Sequence, residues 1–231
     1  MSDLRLVALT GIPEVGAGDD LGQLLGDAVE RAGGLEPGDV LVVAQKVVSK
    51  AEGRTALVPD ERQVEAILGE ARRVRRRRED FVIAETRHGF VCASAGVDRS
   101  NTPGEGWIVL LPIDPDASAR RIREALAGRF GTTPSVIVSD SFGRAWRQGT
   151  TDVAIGAAGI PVLLDLGGRH DATGYELHAT VIAVADEIAG AAELVRGKLD
   201  AKPVAVVRGL RLEGDGRARD IVMPPERDLF P

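Results

Sequence analysis

The segment VLVVAQKVVSK, at residues 40–50, says most about the architecture of this chain. Its first half, Val40–Ala44, is apolar throughout and predicts a buried β-strand. Its second half spaces Lys46 and Lys50 so that the two side chains share one face if the segment turns helical. Other short runs of Val and Ile alternate with helical patterns along the chain, which is typical of α/β proteins. We therefore predict an α/β fold.

The other predicted elements follow from the same two periodicities. Helices are predicted after Asp19 or Asp20, near Asp60, from Asp116, and from Asp186 to about residue 196, since Asp is a common residue at helix starts. A β-hairpin is predicted around residues 87–89, and a polar loop from residue 140 to 150. The further predicted strands are Leu4–Leu9, Phe81–Glu85, Phe90–Ala95, Trp107–Leu111, Val136–Ser139, Val162–Leu166, Thr180–Val184 and Val204–Arg208.

Length and composition limit the classes of protein that fit. The 231 residues predict one domain over residues 1–231, with one or two lobes and a polar tail at 213–231. A net charge of −6 argues against a general nucleic-acid binder. The apolar runs are shorter than the ~20 residues of a membrane span, and Asp3 and Arg5 interrupt any signal-like start. With Cys92 as the one cysteine, a disulfide within the chain is excluded. A cytoplasmic enzyme without membrane or nucleic-acid partners is predicted.

Several common catalytic motifs are missing from the sequence. There is no G-x-x-x-x-G-K-[ST] phosphate-binding loop, and no G-x-G-x-x-G follows a predicted strand as a Rossmann fingerprint would. H-E-x-x-H, C-x-x-C and G-x-S-x-G are absent as well. The usual nucleotide-binding, zinc and serine-hydrolase hypotheses therefore lose most of their support.

Two aspartates are the candidate metal ligands. Asp98 follows the predicted strand Phe90–Ala95, and Asp140 directly follows Val136–Ser139 and precedes Ser141. Two carboxylates at strand ends, with a hydroxyl as third ligand, suit Mg²⁺ or Mn²⁺, which prefer oxygen ligands. The alternative is that each Asp only caps a loop or a helix.

Basic residues suggest an anionic substrate. Lys46 and Lys50 would clamp a polyphosphate, or else form a solvated basic patch. Arg144 and Arg147, beside a candidate metal ligand, suit an anionic substrate or a transferring phosphoryl group. Six arginines between residues 72 and 78 predict a solvated helix face, with attraction of an anionic substrate as the alternative.

Two other reactive residue types have structural interpretations. His88, at the predicted hairpin turn, is interpreted as structural rather than catalytic. Cys92, on an apolar strand, is interpreted as a small buried hydrophobic residue rather than a nucleophile.

Several longer strings resemble one protein family, that of the coenzyme F420-0:L-glutamate ligases. The strings are ETRHGFVCA at 85–93 with AGVDRSN at 95–101, KVVSKAEGR at 46–54 and DSFGRAWR at 140–147. Shorter matches are GDDL at 18–21, PDASA at 115–119, ADEIA at 185–189 and VVRG at 206–209. The resemblance runs from about Leu6 to Phe230, and the order of the strings makes it specific.

The resemblance implies an α/β (α+β) fold of mixed sheets with flanking helices, peculiar to the family, in a homodimer. It implies GTP-dependent addition of L-glutamate to the phospholactyl side chain of the deazaflavin coenzyme F420-0, through an acyl phosphate and with γ-linked bonds after the first. The resemblance also implies two divalent cations, either Mg²⁺ or Mn²⁺, and K⁺ is a further candidate cofactor. Some relatives carry a fused reductase-like domain, which we do not expect here.

The family motifs also assign roles to residues of this chain. Asp98 and Asp140 would bind the first metal ion and Ser141 the second, while Asp98, Asp140, Arg144 and Arg147 would serve catalysis. Guanine-nucleotide contacts would fall at Val15, Gly16, Ala17, Gly18, Gln45, Lys46, Lys50 and Asn101.

Two departures from the family pattern affect these roles. Thr102-Pro103 replaces a common Val-Gly, which affects the loop over the nucleotide. Lys198 stands where archaeal relatives often have an acidic or amide residue. Because a charged lysine does not bind a metal ion, this residue disfavours the second metal site and would instead meet phosphates. Two rival functions stay open: a metal-dependent phosphatase or nucleotide hydrolase, and a deazaflavin- or nucleotide-binding subunit without turnover.

Overall fold

The computed structural model describes residues 3–229, so Phe230 and Pro231 at the end of the predicted tail lie outside the described residues. The helices are α1 (Leu21–Arg31), α2 (Gln45–Ala51), α3 (Gln63–Glu70), α4 (Pro115–Phe130) and α5 (Val184–Arg196). The strands are β1 (Arg5–Ala8), β2 (Val40–Ala44), β3 (Thr55–Leu57), β4 (Ala71–Arg78), β5 (Phe81–Thr86), β6 (Val91–Ala93), β7 (Trp107–Val109), β8 (Ser135–Arg144), β9 (Arg147–Ala158), β10 (Leu164–Asp165), β11 (Val181–Ile182) and β12 (Val204–Arg208).

A mixed sheet forms the centre of the fold. Between residues 3 and 229 its strand order is β1-β12-β2-β8-β9, with β2 and β8 parallel and the other pairs antiparallel. Alternate side chains of β2 enter different cores: Leu41 and Val43 pack with α1 and α4, while Val40 and Val42 pack with α5. Because helices cover both faces, β2 is apolar throughout, as the sequence indicated. The predicted fold of mixed sheets with flanking helices is confirmed.

Smaller sheets flank the central one and position Asp98. In the described part of the chain, β4-β5-β6 form a three-stranded sheet, and β3-β7 and β10-β11 form two-stranded ones. After β6 the chain makes a tight turn at Ser94–Gly96, where a Cβ on Gly96 would lie 2.5 Å from the Leu111 side chain. Asp98 then exchanges backbone hydrogen bonds of 2.9 and 2.8 Å with Val109. The turn and this bridge fix where the Asp98 carboxylate lies.

Several predicted elements are confirmed, some with shifted ends. The hairpin of β5 and β6 is present. Asp20 is the N-cap of α1, and its side chain accepts a hydrogen bond from the Gln23 amide. The α4 helix begins at Pro115, capped by Asp114, and α5 begins at Val184, two residues before the predicted start.

The prediction that the arginine run forms a helix face is wrong. The run lies on β4, an edge strand that pairs with β5, and the α3 helix ends before it at Glu70. Glu85 on β5 forms ion pairs with Arg72 at 3.4 Å and Arg75 at 3.1 Å. Long-range pairing with β5 therefore overrides the local helical propensity of arginine, and the charged edge disfavours pairing with another strand.

The prediction of a polar loop from residue 140 to 150 is also wrong. The β8 and β9 strands continue through this segment as a hairpin whose Arg144 pairs with Arg147, leaving Ala145 and Trp146 at the tip. Trp146, the second residue of this tip, has a φ of 57°, in the left-handed region. Asp140 consequently lies within a strand rather than at its end. The hairpin extends past the apolar core, so its pairing residues are polar and look like loop residues in the sequence.

Candidate active site

A cleft opens where β2 and β8 leave the core. It encloses a cavity of about 280 Å³. Its walls come from the segment before α1, the junction of β2 and α2, the β8-β9 hairpin, and the segment after α5. These segments are far apart in sequence, and the order of strands in the central sheet brings them together.

The junction of β2 and α2 supplies three polar side chains to the cleft. Gln45 is 1% exposed; its Oε1 accepts a hydrogen bond of 2.8 Å from Ser49 Oγ, while its buried Nε2 has no hydrogen-bond partner. Lys46 Nζ lies 2.6 Å from Asp98 Oδ2, and the buried Lys50 pairs with Glu14. Since Lys46 and Lys50 lie on α2, they share a face, as their spacing predicted.

The carboxylates of Asp98 and Asp140, here called the acidic pair, are held in different environments. Burial acts to raise the pKa of Asp98, but hydrogen bonds from Lys46 and Ser100 outweigh it and leave that pKa below its usual value. Burial raises the pKa of Asp140 to about 7, and the nearby charges of Asp98 and Asp152 add to the effect. Lys46 lowers the pKa of both, so one ammonium group serves two carboxylates.

A second set of charges also lines the cleft, and we call it the ion-pair cluster. Arg196 is 2% exposed and donates to Asp152, to Ser139 Oγ at 3.0 Å and to Glu193 Oε2 at 3.0 Å. Ser139 Oγ donates to Asp152 Oδ2 at 2.9 Å. The cluster consists of Ser139, Ser141, Asp152, Glu193, Arg196 and Lys198.

The Ser141 hydroxyl lies at the edge of this cluster. Its Oγ donates to Asp152 Oδ1 at 2.5 Å and accepts a hydrogen bond from Lys198 Nζ. The Lys198 ammonium also lies 3.8 Å from Glu193 Oε1. Ser141 is therefore held between a carboxylate and a cation that both belong to the protein.

Most of the sequence-predicted site residues meet at the cleft. Asp98 reaches it through its ion pair with Lys46. The amides of Gly16 and Gly18 already donate to Asp19 at 2.8 Å and Ala51 at 2.9 Å, and neither they nor Ala17 line the cavity in the described chain. Those that line it are Val15, Gln45, Lys46, Lys50, Asn101, Asp140 and Ser141.

Arg144 and Arg147 lie apart from this group. Both are exposed at the tip of the β8-β9 hairpin, and neither is among the described residues that line the cavity. The Arg144 guanidinium is 3.4 Å from the Gln148 carbonyl oxygen. Any contact of these arginines with a substrate therefore occurs outside the cavity.

Sequence reasoning missed Glu14, Asp152, Glu193 and Arg196. None of them lies in a motif that indicates its role. Recognition of the hairpin would have revealed Asp152, because it pairs across the strands with Ser141. Arg196 is buried at the end of an amphipathic helix, where an arginine is rarely found unless it is paired.

The structural interpretations of His88 and Cys92 fit their surroundings. His88 Nε2 lies 2.9 Å from the Pro112 carbonyl oxygen, and burial lowers the pKa of the ring. Cys92 is buried, and burial raises the pKa of its thiol to about 12. A thiol with that pKa is a poor nucleophile at neutral pH.

The acidic pair fits one divalent cation. The carboxylates of Asp98 and Asp140 are close enough to affect each other electrostatically, and Lys46 is the ammonium group that acts on both. One positive charge does not neutralise two carboxylates, and a hard divalent cation would supply the rest. Residues 3–229 hold no cluster of three or more His, Cys, Asp and Glu side chains suited to a metal ion. Phosphate and water oxygens would thus complete the coordination, as Mg²⁺ sites commonly require.

Fold and cleft together define a mixed α/β protein whose cleft is lined by lysine and carboxylate side chains. Residues 11–209 match the sequence model of the F420-0:Gamma-glutamyl ligase family. The chain belongs to this family and is an enzyme of the ligase class.

Curated relatives align over nearly their full length. The chain is 44% identical to the coenzyme F420:L-glutamate ligase of Methanopyrus kandleri, with 100% of both chains covered. It is 40% identical to the enzyme of the same name from Methanothermobacter thermautotrophicus, with 98% of each chain covered. Separately, none of the helices within residues 3–229 has the length and apolar character needed to cross a membrane.

Proposed function

We propose that this enzyme joins L-glutamate to coenzyme F420-0 at the expense of GTP. The observation that carries the proposal is the meeting of Lys46, Lys50 and Asp140 at one cavity in a chain of this family. The names of the relatives support the two substrates. GTP and the guanine preference rest on the resemblance of the sequence strings.

The reaction needs an activated carboxylate. An amine does not displace oxide from a carboxylate, so transfer of the γ-phosphoryl group from GTP to the F420-0 carboxylate first gives an acyl phosphate and GDP. The amino group of glutamate then attacks the acyl carbon, the C–N bond forms, and phosphate leaves. The amino group releases a proton, and the products are the glutamyl amide, GDP and phosphate.

The residues of the cleft have distinct roles in this proposal. Asp98 and Asp140 would hold Mg²⁺ or Mn²⁺, which supplies neutralisation of the charge on the transferring phosphoryl group. Lys50 would exchange its pairing with Glu14 for a phosphate oxygen. Gln45 offers its unpartnered Nε2 as a donor to the nucleotide. Arg144 and Arg147 would attract the anionic deazaflavin or glutamate from the hairpin tip.

The proposal extends to a cytoplasmic homodimer, which rests on the resemblance alone. Sedimentation at micromolar concentration checks it. A species near twice the chain mass of 24.4 kDa is expected, and a monomer at all concentrations would contradict it.

One assay tests the reaction. Purified enzyme is incubated with GTP, Mg²⁺ and F420-0, with and without L-glutamate; GDP is quantified and the deazaflavin is analysed by mass spectrometry. We expect GDP release in proportion to amide, and a mass gain of one glutamyl unit. Equal GDP release without glutamate and no amide would indicate a hydrolase, and no turnover in either mixture would indicate a binding subunit.

A further inference from the structure

The ion-pair cluster balances its own charges. Asp152 and Glu193 carry the negative charges, and Arg196 and Lys198 carry the positive ones. The Asp152–Arg196 pair is deeply buried, with side chains 5% and 2% exposed. No negative charge is left over for a second divalent cation, in contrast to the acidic pair, where two carboxylates share Lys46.

The Ser141 hydroxyl cannot easily take a metal ion in this arrangement. It has one proton, which it donates to Asp152, and two lone pairs, one of which accepts from Lys198. A metal ion on the remaining lone pair would lie about 2.1 Å from Oγ, and so within a few ångströms of the Lys198 ammonium on the same oxygen. The repulsion between the two cations in a partly buried site opposes this geometry.

Lys198 is also well placed to offer its positive charge to a ligand in the cleft. It lines the cavity together with Asp140 and Ser141, and its side chain is 56% exposed, so the ammonium can reach a ligand in the cleft. Its hydrogen bond to Ser141 holds it next to the strand that carries Asp140. A phosphate bound between the acidic pair and the ion-pair cluster would meet a metal ion on one side and an ammonium on the other.

We propose that this enzyme binds one divalent cation per active site, and that the Lys198 ammonium stands at Ser141 where a second cation would otherwise bind. The inference rests on the proposed function for the cation at the acidic pair. It departs from the expectation of two metal ions, and it makes Lys198 a phosphate-binding residue. The Lys198 ammonium is part of the chain, so one of the positive charges around the phosphates does not depend on metal binding.

Counting bound metal tests this inference without any activity measurement. The enzyme is saturated with Mn²⁺ and a non-hydrolysable GTP analogue, and the metal ions per chain are counted by native mass spectrometry and by anomalous diffraction from crystals of the complex. We expect one Mn²⁺ per chain, next to Asp98 and Asp140. Lys198→Glu removes the ammonium and adds a carboxylate, and we expect this variant to bind two Mn²⁺ per chain.

A matched control is Lys202→Glu, which makes the same charge change on a lysine of the cleft wall that pairs with Asp200 at 3.1 Å. This variant is expected to bind one Mn²⁺. Two Mn²⁺ in the wild type, or one in Lys198→Glu, would overturn the inference.

The metal count and the reaction can fail separately. No Mn²⁺ in the wild type would overturn both the cation site at the acidic pair and the inference. One Mn²⁺ in the wild type and two in Lys198→Glu, with no amide formed by the wild type, would refute the proposed reaction and still support the role of Lys198.

Discussion

The acidic pair and the ion-pair cluster meet at one cleft, yet their carboxylates are used in different ways. Asp152 is bonded to Arg196, Ser139 and Ser141, all from the protein. Asp140 shares a single lysine with Asp98, and burial raises its pKa to about 7. A buried carboxylate that is fully paired holds its neighbours in position, whereas one that shares a single cation with another carboxylate is available to a ligand.

Replacing Asp140 should have the largest effect on activity. Asp140→Asn removes a proposed cation ligand while keeping the size of the side chain, so we expect the rate of amide formation to fall by a factor on the order of 10³ or more. The fold should persist, since a neutral amide is easier to bury than a charge. Amide formation by mass spectrometry and thermal unfolding measure both effects.

Asp98→Asn should likewise abolish ligation. If either variant kept near-normal turnover and an unchanged metal dependence, that residue would not belong to the site.

Breaking the ion-pair cluster should affect stability most. Asp152→Ala leaves the buried Arg196 without its more buried ion-pair partner, so we expect the free energy of unfolding to fall by about 3–5 kcal/mol. Urea denaturation measures the change. Asp200→Ala, which breaks the exposed pair with Lys202, is the control and should cost about 0–1 kcal/mol.

A double substitution shows whether the loss of stability comes from the Arg196 charge that has lost Asp152. Asp152→Ala combined with Arg196→Met should recover part of the stability, because no buried charge is then left unpaired. Strictly additive losses would argue against coupling between the two residues.

Removing Lys50 should have a smaller effect than replacing Asp140 or Asp152, and we expect it in nucleotide binding. Lys50→Ala removes a charged donor from the cleft, and we expect the binding free energy of GTP to weaken by about 1.5–3 kcal/mol. Calorimetry with GTP and ATP on both proteins measures this and the guanine preference. Equal GTP affinity in the two proteins would refute the phosphate contact, and tighter binding of ATP than of GTP by the wild type would refute the guanine preference.

The hairpin tip should show the smallest effect, because it lies outside the cavity. Arg144→Ala and Arg147→Ala should each raise the KM for F420-0 or glutamate by up to about fivefold, the effect of losing one solvent-exposed charge contact worth about 0–1 kcal/mol. The affinity for GTP should stay unchanged. A loss of GTP affinity equal to that of Lys50→Ala would instead place the tip at the nucleotide.

The two wrong predictions about secondary structure have a common cause. The arginine run and the segment from 140 to 150 are polar, and a polar segment carries little of the hydrophobic periodicity that distinguishes a strand from a helix or a loop. Both become strands because a neighbouring strand pairs with them, β5 in one case and β9 in the other. Strand pairing is a tertiary interaction that the local sequence does not reveal.

The sequence by itself determined the α/β alternation, the family and the candidate residues Lys46, Lys50, Asp98 and Asp140, because apolar runs and continuous motifs are local. The tertiary structure alone decided how their charges are balanced. The bond from Arg196 to Asp152 joins residues 44 positions apart, and that from Lys198 to Ser141 spans 57. Whether a carboxylate is paired depends on which distant side chain the fold brings within reach, and burial then sets how strongly that pairing matters.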